Sequence, residues 1–218
     1  MLRSSRIFFV ALLVILFVQS LPAGASGVKK NGDLWINFTD NADDKSRRMP
    51  ELRMSTSSTP GSQTTLINYR IFACRKIPVL YNQSEYSRLE VPDCGFTADP
   101  GNPTLPVRTI FLEFPPNHDY AVNLGEMKTC MIENISVLPS RPAPPETAEP
   151  AFPINRQIYQ NNAYFPAGRI LSVKIVKLRQ RRLLEIRLTP VRFHPLRREV
   201  EFAYEIDLLV TFMAVGGE

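Results

Sequence analysis

The 218-residue chain has little of what soluble enzymes commonly use for chemistry: two histidines, three cysteines and one tryptophan. No HExxH, no G-x-S-x-G, no Gly-rich phosphate loop and no Asp-rich calcium loop occurs, so the common motif-borne metal, acyl-transfer and nucleotide chemistries have no foothold. His118 and His194 both sit beside or near proline in turn-like sequence, with no cysteine close by in the chain. Cys74, Cys94 and Cys130 are spaced like no metal motif. An odd count leaves at least one thiol unpaired, and the spacing does not decide which two would join. Charge of one sign is also scarce. The net charge of +5 includes Arg3 and Arg6, and no stripe of basic residues is interleaved with outward aromatics, which argues against nucleic acid as a partner. Neither a cofactor nor a metal is expected. The carboxylates Glu201, Glu205 and Asp207 fall on the polar side of a strand and read as a solvated face.

Long apolar runs are confined to the N-terminus. Arg3 and Arg6 precede the apolar stretch Ile7–Val18, and Ala23-Gly24-Ala25 fits a small-x-small cleavage site. That run is short for a membrane span, which needs about 20 residues. Residues 1–25 are therefore expected to be a cleaved signal peptide. Export to the periplasm, cell surface or exterior follows, with no membrane association after cleavage. Residues 26–64, polar and rich in Ser, Thr, Pro and Gly, read as a flexible leader with one short strand over Asp33–Phe38.

From Leu66 onward, strand-like runs follow one another. They cover Leu66–Ala73, Pro106–Phe114, Asp119–Met127, Cys130–Leu138, Arg169–Leu178 and Arg182–Pro190. In Pro106–Phe114 both sides are apolar, as in a central strand. The last run is the clearest: Val200, Phe202, Tyr204, Ile206, Leu208, Val210 and Phe212 alternate with mostly polar residues, the period of a half-buried strand. Asp99–Pro103, Pro115–Asp119 and Phe193–Glu199 carry turn residues between runs. No window shows a convincing helical period. About eight strands without helices predict an all-β, antiparallel β-sandwich over residues 65–213.

One segment breaks the rhythm. Pro139–Pro153, "PSRPAPPETAEPAFP", has too many prolines to join a ladder, because proline has no N–H to donate. It reads as an extended, stiff excursion from the sandwich. It is either a passive crossover between sheets or a segment that lies in a partner's groove, where pre-stiffening lowers the entropy lost on docking.

Three landmarks in order carry a family resemblance: "GNPTLP" (Gly101–Pro106) opening a strand, "YQNNAYFPAG" (Tyr159–Gly168), and Leu178–Phe212 with its turn at Phe193-His194-Pro195. Over about residues 66–212 the chain resembles the N-terminal propeptide domain of gingipain-type cysteine peptidases. The landmark positions Gly101, Pro103, Pro106, Tyr159, Pro166, Pro190 and Pro195 are expected to be structural. The resemblance implies a β-sandwich that assists folding of a secreted cysteine peptidase and keeps it latent, without catalysing a reaction itself. A loop would enter the peptidase cleft with a basic residue in the specificity pocket. That loop aligns with Pro139–Pro153, so the candidate inhibitory residues are Arg141, Pro142 and Glu146. Glu146 stands near the position of the family's inserted arginine, and Arg141 is the one basic residue of the segment. Phe193-His194-Pro195 departs from the Tyr-Asn-Pro usual in the family. No peptidase domain follows Phe212, so the chain is expected to be a stand-alone propeptide-like protein, a truncated product or a piece of a longer precursor, its partner peptidase acting in cis or in trans. The competing expectation is a surface adhesion or carbohydrate-binding module, with Tyr159, Tyr164 and Phe165 as an aromatic platform.

Overall fold

A computed structural model describes residues 35–38, 49–81, 83–141 and 153–215. Residues 1–25, with the expected signal peptide, lie outside the described residues. Twelve strands and one helical turn follow in chain order. They are β1 (Trp35–Asn37), β2 (Glu51–Thr59), β3 (Ser62–Arg70), β4 (Ala73–Tyr81), β5 (Ser84–Glu90), β6 (Gly95–Phe96), β7 (Pro106–Glu113) and β8 (His118–Ile132). Then come α1 (Arg156–Tyr159), β9 (Ile170–Leu178), β10 (Arg181–Leu188), β11 (Val191–His194) and β12 (Glu199–Ala214).

The alternation at the C-terminal end of the sequence places β12 at the centre. One edge of β12 pairs with β8 from Val200 to Ala214. Its other edge is shared: β11 pairs over Glu199–Phe202, and β3 over Glu205–Met213. β2 extends this five-stranded sheet beyond β3. A second sheet runs β6-β7-β10-β9 and a third β1-β4-β5. Every named strand pair is antiparallel.

The apolar side of β12 is buried between these sheets in two clusters. Val200, Phe202 and Ile206 meet Cys74 and Leu89 of the three-stranded sheet, with Leu105, Leu188 and Phe193. Leu208, Val210 and Phe212 meet Ile110, Leu184 and Ile186 of the four-stranded sheet. Each such side chain contributes about 1.5–3 kcal/mol by leaving water. The all-β sandwich expected from the sequence is what forms.

Several details differ from the expectation. Tyr204 leaves the alternation: Ala203 is buried in its place, and the ladder is irregular between Ala203 and Glu205. A bulge inserts a residue and shifts the facing. Tyr204 instead stacks on Phe38 at 5.9 Å. Asp119–Met127 and the first three residues of Cys130–Leu138, read as belonging to two strands, form one 15-residue strand, β8. The rest of the second run, from Glu133, leaves the ladder and pairs with β5 only through an isolated bridge of Val137 with Ser87. The polar stretch around Gly125 is a second ladder irregularity, opposite Ile206–Leu208, and does not end the strand. In β7 the two-sided burial holds only at the start, where Pro106 and Val107 are both buried; further along Phe111 is 51% exposed and the Ile110 side alone faces the core. Strand β2 falls inside the stretch read as a flexible leader. It is a sheet-edge strand, exposed on both faces over most of its length, so it has no need of apolar alternation. The β4–β5 hairpin went unread because Pro78 interrupts it. Pro78 is tolerated because β1 pairs with β4 only over Ala73–Arg75, leaving the edge at Pro78 without a ladder on that side.

Candidate functional site at the base of the proline-rich excursion

The site grows from a turn. Asn102 N–H donates to Asp99 O at 3.1 Å, Pro100 occupies the second position, and Gly101 has φ +80°. Proline second and a left-handed glycine third is the type II signature, because proline pre-sets φ and only glycine takes the positive angle at no steric cost. Thr97 braces the turn. Its Oγ1 donates to Pro103 O at 2.9 Å and accepts Leu105 N–H at 2.9 Å, and its own N–H reaches Leu105 O at 2.9 Å.

The braced turn then holds the start of the excursion. Thr104 N–H donates to Leu138 O (2.8 Å), Ser140 N–H to Asn102 O (2.7 Å) and Gly101 N–H to Ser140 O (2.9 Å), around an antiparallel bridge of Pro103 with Pro139. It holds the end as well. Asn155 N–H donates to Gly101 O at 3.0 Å, and Asn155 Nδ2 donates to Asn102 Oδ1 at 2.8 Å. Gly101 thus binds both stems, its N–H the outgoing one and its C=O the returning one. A Cβ there would stand 3.0 Å from Pro153 O and 3.1 Å from Asn155 N. After Asn155 the helical turn α1 places Tyr159, whose hydroxyl donates to Val137 O at 2.7 Å.

Arg141 emerges one residue beyond this clamp and is exposed. It lines a groove of about 430 Å³ with Val79, Arg88, Phe96, Thr97 and Leu138. The Arg88 guanidinium is paired with Glu90 at 2.6 Å and lies 6.0 Å over the Phe96 ring. Pro142 and Glu146 lie outside the described residues. Arg156, exposed, follows Asn155 at the start of α1, just past the returning stem.

The remaining landmark residues gather under the β11–β12 turn. Pro166 follows a cis peptide and its carbonyl accepts from Arg192 Nε at 3.3 Å. Pro190 O accepts Arg169 Nη1 at 2.6 Å and Ala203 N–H at 2.8 Å. Pro195 O accepts Arg198 N–H at 3.1 Å, closing the turn that carries His194. Glu201 lies between two cations, 3.3 Å from Arg169 and 3.1 Å from Arg192. Burial pulls the Arg169 guanidinium below its ordinary range, and Glu201 opposes that. Gly101, Pro103 and Tyr159 are therefore brought together at the base of the excursion, while Pro166, Pro190 and Pro195 form a second, separate group. Pro106 begins β7. The sequence reading missed Thr97, Asn102, Ser140 and Asn155. "DPGN" announced the turn, but no local signal names the stems that it binds.

The aromatic residues considered as a platform are engaged in packing. Tyr159 packs edge-on against Phe193, and Phe165 pairs its backbone with Phe193. Tyr164 donates to Glu199 Oε1 at 2.8 Å between His194 and Arg192. Neither histidine is arranged as a base for a nucleophile. His118 Nδ1 lies 2.7 Å from Pro116 O, and His194 Nδ1 accepts Arg197 N–H at 3.3 Å. The three cysteines are free thiols. Burial raises all three, Cys130 to about 11, so none is poised as a thiolate. Among the described residues no group of His, Cys, Asp and Glu could hold a metal, and no helix is long and apolar enough to cross a membrane.

Comparison with known proteins decides the family. The family model Propeptide_C25 matches residues 43–216, most of the chain. The chain belongs to that family. No curated protein matches it. Two solved structures share the fold. One, from work on the zymogenic latency of gingipain K of Porphyromonas gingivalis, aligns with a TM-score of 0.62 and 14% identity, over 74% of this chain and 93% of its own. The other, from the complex of the pro- and mature domains of RgpB of the same organism, aligns at 0.66 and 17%, over 78% and 90%. The propeptide family match begins at residue 43, ahead of β2, in agreement with a sheet that starts before Leu66.

Proposed function

We propose that this propeptide domain assists folding of a gingipain-type cysteine peptidase and holds it latent by laying the Pro139–Pro153 excursion in its active-site cleft. The observation that carries this reading is the closed base. The chain departs at Ser140 and returns at Asn155, and both stems are hydrogen-bonded to Gly101. The connection as a whole leads from β8 of the five-stranded sheet to β9 of the four-stranded one, and a passive crossover needs no detour; here the chain leaves at Ser140 and comes back to the turn it left before going on to β9. A segment closed at its base loses less entropy on docking than a free one. Arg141 is the anchor side chain of this reading, and Pro142 and Glu146 follow it in the sequence of the excursion. No bond is made or broken by this chain; it acts by occupying a cleft. Residues 1–25 direct export, so the domain meets its peptidase outside the cytoplasm, within one precursor or between chains.

The test uses the chain from Ser26 to Glu218 and the cysteine-peptidase activity of its own source. Saturable inhibition at micromolar concentration or below is expected. Arg141→Ala weakens it about tenfold or more, the loss of one charged anchor. Arg156→Ala, just past the returning stem, is near neutral. Equal effects from the two substitutions would remove Arg141 from the role, and no inhibition at all would remove the function.

A further inference from the structure

We propose that Gly101 is the positioning residue of the excursion, acting with Asn102 and Asn155 as a clamp that sets where the inhibitory segment starts and ends. This rests on the loop reading above and adds to it the device that aims the loop.

Four hydrogen bonds converge on two adjacent residues. Gly101 gives its N–H to Ser140 O at 2.9 Å and accepts Asn155 N–H at 3.0 Å, while Asn102 accepts Ser140 N–H at 2.7 Å and Asn155 Nδ2 at 2.8 Å. Two features make this a fixed point. Thr97 and the Pro100–Gly101 turn brace it from the sheet side, so it cannot follow the stems if they move. Gly101 is also irreplaceable on two separate grounds. Its φ of +80° strains any residue with a Cβ, and that Cβ would press on backbone atoms of Pro153 and Asn155, which cannot swing aside as a flexible side chain can. The neighbouring glycines set the contrast: Gly61 has the same sign of φ with open space around it, and Gly95 has only one neighbour, at 4.0 Å. Among the described glycines, only at Gly101 does the space a side chain would fill belong to the returning stem.

Positioning and mere structural support make different predictions. If Gly101 only helped the fold, its substitution would act equally on every property of the domain. As a clamp it acts through the stems alone. In hydrogen exchange, Gly101→Ala is expected to speed the Ser140 and Asn155 amides by about tenfold or more, the loss of one or two hydrogen bonds. The Ile206 amide, deep in β12, stays at its original rate. In inhibition of the source peptidase, Gly101→Ala weakens binding about tenfold with the natural loop and has no further effect once residues 141–152, Arg141 included, are replaced by a Gly-Ser linker of equal length. Should Gly101→Ala fail to fold, Asn155→Ala removes only the side-chain bond to Asn102, and it is expected to give about a threefold loss by the same cycle. Equal weakening in both loop backgrounds, or exchange that rises uniformly through β12, overturns the clamp. If the linker replacement itself leaves inhibition intact, the loop reading fails, and the Ser140 and Asn155 exchange rates then decide the clamp by themselves.

Discussion

The two ends of the sandwich are built from the same central strand and differ in kind. Around Leu208, Val210 and Phe212 the interior is apolar packing, with Phe114 edge-on to Phe212 at 5.8 Å. Around Phe202, buried polar groups crowd in: Ser87, Ser140, Arg169, Thr189 and His194 are all nearly inaccessible, while the other end buries Thr65. Each buried polar group costs free energy unless its partner is in place, so such groups specify one arrangement where apolar side chains would accept several. The polar end also carries the excursion, its clamp and the free thiols. Where the chain must leave the sheet at a defined point, directional bonds do the specifying; where it only has to be held together, packing suffices.

The largest expected effects test whether the two ends fold as one. Phe202→Ala and Phe212→Ala each delete a buried ring and should cost about 3–5 kcal/mol. If β12 couples the ends, both variants unfold in urea in a single transition at a lower midpoint. A separate early transition for Phe212→Ala alone would divide the domain at the bulge near Tyr204.

A smaller effect sharpens the contrast in polarity. Glu201→Gln leaves Arg169, only 3% exposed, without its counter-charge and should cost about 2 kcal/mol, less than a fully buried broken pair because Glu201 keeps some solvent. Thr65→Val, at the other end, removes a hydroxyl contact with Thr56 of 3.1 Å and should cost under about 1 kcal/mol. Similar losses from the two, read from denaturation midpoints, would erase the distinction.

The smallest effect is electrostatic and lies on the outer face of the sheet. Lys128 at 3.0 Å, with Arg70 beyond it, holds the Glu205 carboxyl below its ordinary value. A carboxylate lowered in the folded state stabilises fully above its unfolded pKa, and that contribution disappears as pH falls through the folded value. The pair is largely solvated, so the loss amounts to less than about 1 kcal/mol. Denaturation midpoints between pH 6 and pH 3 should fall less steeply in Glu205→Gln than in the parent.

Much of this architecture can be read from the residues. Strand β12 shows itself because its burial is one-sided, and Leu184, Ile186 and Leu188 of β10 are all fully buried as their spacing implies. Strand β2 was illegible for the converse reason: with most of its residues exposed on both faces, "ELRMSTSST" has no alternation to display. The excursion was legible as a break, since proline content is a local property. Its base was not, because the bonds from Gly101 join residues about 40 and 50 positions further along the chain, and no local pattern encodes such partners. Arg141 illustrates the same limit: its charge is plain in the sequence, its position one residue past the clamp is not.

The placement of β12 also governs the order of assembly. A chain made from its N-terminus exposes β3 long before the strand that covers it exists; Thr64 and its partner Thr211 are 147 residues apart. Strands β8 and β3 wait on either side of an empty lane, and β2 and β3 can meanwhile close only their own hairpin. Contacts of such long separation are paid for in loop entropy before they return anything, which makes this a slow step. The last of these strands to emerge is thus the first requirement of the sheet, and a chain cut before Val200 would lose the middle of its fold and keep the margins.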